Sequence, residues 1–83
     1  MNDSLGNIKK EIVNYIKTII SPMNFDIEVF FDNCYITIND YSITMFLVKK
    51  IISFLYNYDY YLRDIWYYDN YFKINFISGE LKK

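Results

Sequence analysis

The chain has 83 residues, 53% hydrophobic and 22% aromatic, with nine basic and ten acidic side chains for a formal net charge of −1. That length allows one domain with a small core, and aromatic side chains burying roughly 150–250 Å² each make such a core dense. A charged fraction of 23% argues against disorder, the slightly acidic balance argues against a dedicated nucleic-acid binder, and the absence of His removes the commonest general base and metal ligand.

The first predicted element is a helix over residues 4–20. Ile8, Ile12, Ile16, Ile19 and Ile20 recur at helical spacing, with Lys9, Lys10, Glu11, Asn14 and Lys17 between them. Asp3 or Ser4 is placed to cap it, and Pro22 stops it just after Ser21. Over residues 25–39 the period changes to two. With Asp32-Asn33 as a two-residue turn, Phe31 faces Cys34, Val29 faces Ile36 and Ile27 faces Ile38, so six apolar side chains share one sheet face. Asp and Asn tolerate the left-handed backbone that such a turn is expected to need.

A second helix is predicted over residues 43–57, capped by Asp40 or Ser42. Its apolar residues, among them Ile43, Met45, Phe46, Val48, Ile51 and Leu55, wrap past a single stripe, which predicts a central helix. Residues 56–62 form a polar–aromatic connection with no assigned conformation. Residues 63–77 alternate again around Asp69-Asn70. Ile65, Tyr67, Phe72, Ile74 and Phe76 fall on one side, and Asp64, Trp66, Tyr68, Tyr71, Lys73 and Asn75 on the other. Residues 78–83 are expected to fray. The order is α-β-β-α-β-β, an α+β domain with an antiparallel sheet packed on two helices. Each helix–hairpin unit turns on an Asp-Asn pair, but the alternation phases differ by one residue, which argues against an internal repeat.

Little in the chain suits catalysis. Cys34 has no His partner and falls on an apolar strand face, the pattern of a buried structural thiol. Gly6 and Gly79 are too far apart to build a phosphate-cradling loop. The pairs Asp26 with Glu28 and Asp64 with Asp69 read as solvated strand-face acids, not as a cation site. No enzyme, cofactor or metal is expected. A single cysteine, no recognisable signal segment and no bilayer-length apolar run predict a cytoplasmic protein, in the host cytoplasm if the gene is viral.

What remains is binding. No basic residue occurs from residue 24 to 48, while Asp26, Glu28, Asp32 and Asp40 do. Such acids either keep an edge strand from pairing or steer the domain to a basic partner. Alternation also assigns Phe30, Tyr35, Trp66, Tyr68 and Tyr71 to the face opposite the apolar one, where Trp and Tyr serve as interface anchors. The candidate partner-binding set is therefore Asp26, Glu28, Phe30, Asp32, Tyr35, Trp66, Tyr68 and Tyr71. Cross-strand pairing, a covering helix and codon bias compete with that reading. Ile, Tyr, Asn and Lys, the residues of AT-rich codons, supply 41 of the 83 positions.

In size, acidity and composition the chain looks like short acidic phage anti-CRISPR proteins and bacterial toxin-immunity proteins. That likeness implies a non-catalytic inhibitor of a host defence protein such as a nuclease, docked through the acidic, aromatic surface. The alternatives are a single-stranded nucleic-acid binder using sheet aromatics and a self-associating subunit with that face as its homodimer interface.

Overall fold

The isoleucine repeat folds as helix α1, Asn2–Ile16, in a computed structural model that describes residues 2–40 and 42–79. Ile12 and Ile16 are fully buried, as their shared stripe requires. The predicted bounds need correcting at both ends. The helix already contains Asp3 and Ser4, so neither stands before it as a cap. It also stops at Ile16, and residues 17–19 continue as a tightened turn, with Ile19 N–H donating to Ile16 O at 2.9 Å and Ile20 N–H to the same oxygen at 2.8 Å. The turn keeps Ile20 buried. A 3-10 turn, Pro22–Asn24, follows, with Pro at its start and the Ser21 hydroxyl accepting from Met23 N–H.

Strands β1 (Phe25–Val29) and β2 (Asn33–Ile38) form the first hairpin. Its register places Val29 opposite Cys34, Ile27 opposite Ile36 and Phe25 opposite Ile38. Phe30 N–H donates to Asn33 O at 2.8 Å, so the turn residues are Phe31-Asp32 and not Asp32-Asn33. Moving the turn by one position moves every pairing by two, so the inward set keeps its parity. Phe31 is the casualty: expected opposite Cys34, it stands at the turn 78% exposed, and Phe25 takes the sixth position. The first turn does not use the expected left-handed backbone. Asp59, at φ 65°, is the sole described non-glycine residue with positive φ.

Helix α2 spans Met45–Tyr56, with Thr44 as its N-cap. Asp40 and Ser42, the predicted caps, instead close a local turn in which Ser42 N–H donates to Asp40 Oδ1 at 3.0 Å. Val48, Ile51 and Leu55 form the buried stripe, whereas Met45 and Phe46 are exposed, so the helix is one-sided and not wrapped by core.

Strands β3 (Tyr60–Tyr67) and β4 (Phe72–Ser78) form the second hairpin, with Tyr67 opposite Phe72, Ile65 opposite Ile74 and the predicted Asp69-Asn70 turn. The register shifts between Leu62 and Asp64, a bulge at Arg63 that lets β3 continue back to Tyr60 through residues left unassigned from the sequence. Ser78 and Gly79, expected in a frayed tail, are buried, and Ser78 N–H donates to Asp32 O at 2.9 Å. The rest of that tail lies outside the described residues.

The sheet is antiparallel with strand order β1-β2-β4-β3. Its inner face carries Ile27, Cys34, Ile36, Ile38, Phe72, Ile74 and Phe76, which share one buried cluster with Ile12 and Ile16 of α1 and Val48, Ile51 and Leu55 of α2. Tyr67 has inner parity too, yet it is 64% exposed near the sheet's edge. Two polar ties brace the assembly: the Tyr60 hydroxyl donates to Phe30 O at 2.6 Å, and the Tyr58 hydroxyl donates to the Glu11 carboxylate. Among the described residues no helix is long and apolar enough to cross a membrane.

Candidate functional site

Strand alternation places seven of the eight candidate residues on the outer face or at its ends. Asp26 and Glu28 alternate along β1, Phe30 follows just past its end, and Tyr35 lies on β2. Trp66 is on β3, and Tyr68 and Tyr71 flank the second turn. The register joins two rows across the sheet: Glu28, Tyr35, Asn75 and Asp64 in one, and Asp26, Thr37, Lys73 and Trp66 in the next. Strands are about 4.8 Å apart, so each row spans roughly 14 Å.

The remaining candidate, Asp32, sits in the first turn. The two hairpin turns lie at opposite ends of the sheet, because Asn33 pairs with Ile77 while Ile38 pairs with Phe72. At about 3.3 Å per residue, Asp32 and the Tyr68/Tyr71 pair are roughly 20 Å apart. The face is therefore a strip with two ends. One end bears Phe30 and Phe31, the other a stacked Tyr68–Tyr71 pair at 4.5 Å, and Trp66 lies between.

Within the candidate set, most outward residues are exposed. Trp66 is 49% exposed, Phe30 46% and Tyr68 42%, while Asp26 and Glu28 are open to solvent. Tyr35 is half-buried by neighbours on its own face: Phe30 meets its ring edge-on at 6.1 Å, and Lys73 Nζ lies 5.4 Å from its ring centroid. Charge is divided across the strip. The acids Asp26 and Glu28 occupy edge strand β1, and the cations Arg63 and Lys73 belong to the β3–β4 half, together with Asp64.

Sequence reasoning left three residues of this surface out of the candidate set. Arg63 joins the outer surface only through the bulge, which no glycine announces. Asn33 was assigned to the first turn and Asn75 to the outer side of its strand, yet Asn33 opens β2 and Asn75 is only 2% exposed. Its Nδ2 donates to Asp64 Oδ1 at 2.8 Å. Around it is a cleft of about 110 Å³ lined by Asn33, Tyr35, Arg63, Asp64, Trp66 and Asn75. The signal available in the sequence was an Asn set between Ile74 and Phe76 in the middle of β4.

Elsewhere, burial pushes the Cys34 thiol up from 9.0 to about 12, so it stays protonated at neutral pH and is a poor nucleophile. A broad groove of about 510 Å³ lies beside α2, with Tyr15, Phe46, Lys49, Lys50 and Phe54 in its walls. Lys50 Nζ is 4.9 Å from the Phe46 ring, so this side is basic where the hairpin edge is acidic. No group of three or more metal-ligating side chains occurs among the described residues. The chain matches no protein-family model, no curated protein and no solved structure.

Proposed function

We propose that the protein is a stoichiometric protein-binding module that docks on a basic partner through the outer face of its sheet. The observation that carries this reading is the gathering of Asp26, Glu28, Phe30, Tyr35 and Trp66 from three strands onto one face, with Trp66 and Phe30 about half exposed. The reading takes α1 and α2 as the cover of the inner face, in keeping with their share of the buried cluster. Half-exposed Trp and Tyr anchors bury large area at small entropic cost. The acids of β1 add steering toward positive charge. An AT-rich gene, small size and this surface fit an inhibitor of a host defence protein, such as a nuclease with a basic channel, made by a phage or mobile element and acting in the host cytoplasm.

Affinity capture from an AT-rich bacterial lysate tests the reading with three baits: wild type, Trp66→Ala/Glu28→Lys, and Lys49→Glu/Lys50→Glu. The expected result is a basic protein retained by wild type and by the α2 variant but lost from the outer-face variant. Equal recovery by all three removes the outer face from consideration.

A second reading, single-stranded nucleic-acid binding, draws on Lys73 and Arg63 flanking Trp66. Against it stand Asp26, Glu28 and Asp64 on the same face, which repel a phosphate backbone. Fluorescence anisotropy with single-stranded DNA and RNA at low salt separates the two: tight, salt-sensitive binding promotes the second reading.

A further inference from the structure

We propose that the outer-face cleft between β2, β4 and β3 is a receptor for an arginine side chain of the protein partner. This rests on the docking reading above and specifies the chemistry at its centre.

The argument starts from two atoms. Asn33 Oδ1 and Asn75 Oδ1 are buried and have no hydrogen-bond partner among the described residues. A buried acceptor left unpaired costs about 1–3 kcal/mol, so a native site holding two of them calls for a donor. The orientation of the Asn75 amide is fixed by its other end. Its Nδ2 donates to Asp64 Oδ1 at 2.8 Å, and the flipped amide would set oxygen against carboxylate. Both orphan oxygens belong to residues that line the same cleft of about 110 Å³, but they are closed to solvent, so a guest has to displace a wall of the cleft to reach them.

The donor's type follows from the walls. Tyr35 and Trp66 supply rings, and the cleft admits a group of a few heavy atoms. A guanidinium is planar, stacks on aromatic faces and carries five N–H donors with no acceptor to satisfy. A lysine ammonium lacks the plane, and a carboxamide brings an oxygen of its own. The fixed charges nearby offset one another: Arg63 and Lys73 are positive, Asp64 and Glu28 negative. Arg63 is exposed and stands at the bulge, where it can turn outward as a guest enters.

The test is an NMR titration of ¹⁵N-labelled full chain with three capped tripeptides, Gly-Arg-Gly, Gly-Lys-Gly and Gly-Gln-Gly. It follows the Asn33 and Asn75 side-chain amides and Trp66 Nε1–H. The expected result is saturable movement of all three signals with the arginine peptide in the millimolar range, and markedly weaker binding of the other two. Asn33→Leu should weaken arginine binding about tenfold. Asn33→Asp, which adds a charge facing the guest, should strengthen it and keeps the proposal testable if the leucine variant misfolds. Equal response to the three peptides overturns the proposal. So does an outcome in which no peptide moves these signals and a long-lived water is detected at both amides, which makes the cleft a hydration site only. The capture experiment separates this from failure of the docking reading. A partner lost with Trp66→Ala/Glu28→Lys but retained with Asn33→Leu keeps the face and rejects the arginine site.

Discussion

Asp59 holds the left-handed backbone at φ 65° just after α2, and Gly79 N–H donates to its carbonyl at 2.9 Å. A Cβ on Gly79 would lie 2.3 Å from Asp59 Oδ1 and 2.7 Å from its Cγ, closer than a short side chain can yield. Gly79→Ala should therefore lower stability by about 1–3 kcal/mol, read as a drop in Tm. Adding Asp59→Gly should recover most of it, since that change removes the obstructing carboxylate and suits the positive φ. Failure of the double variant to recover would break the assigned contact. Cys34 sets an alkaline limit of a different kind. The unfolded chain releases the thiol proton near pH 9, the folded chain only near 12, so the folded state holds the proton more tightly. Stability is then full below pH 9 and falls as pH rises toward 12, by at most about 1.4 kcal/mol per pH unit. Tyr60, raised mainly by burial, acts in the same direction, so the comparison needs a variant. Urea unfolding at pH 8 to 10.5 should show a shallower alkaline decline for Cys34→Ala than for wild type.

At the scale of elements, α2 begins on Thr44, whose Oγ1 accepts from Leu47 N–H at 3.4 Å. Thr44→Ala should cost about 1 kcal/mol, whereas Ser42→Ala, at one of the two positions the sequence offered, should cost less because Ser42 serves the Asp40 turn. Chemical denaturation of the two variants decides which residue caps the helix. Period-two alternation told which residues of β1 and β2 face inward, because parity survives a one-position displacement of the turn. It did not fix the turn itself: Asp32-Asn33 had the better turn chemistry, but Phe31-Asp32 lets Val29 pair with Cys34 and carries Phe25 into the sixth inward position. The Arg63 bulge left no local mark, so β3 appeared to begin three residues late. Burial of Asn75 was hidden for a related reason, since its partners Tyr35 and Asp64 come from neighbouring strands.

Across the whole molecule, the four-stranded order β1-β2-β4-β3 decides where charge lies. Inserting β4 between β2 and β3 puts the acids of β1 at one edge, and the Trp66 and Arg63 of β3 at the other. That arrangement needs the strand order as well as the strands, and pairing of β2 with β4 is a long-range contact that local patterns do not encode. The candidate residues were thus legible as members of a face, but the roughly 20 Å separating Asp32 from Tyr68 and Tyr71 was not. Because the outer-face side chains contribute little to the buried cluster, Trp66→Ala/Glu28→Lys should unfold within about 1 kcal/mol of wild type. A larger loss would mean that this face holds the fold together. The most direct measurement of the central claim is carbene footprinting of the protein alone and in complex with its captured partner. Binding should protect Phe30, Tyr35 and Trp66 while leaving Phe46 and Tyr56 of α2 as reactive as before. Protection that falls on α2 and spares Trp66 would contradict the account.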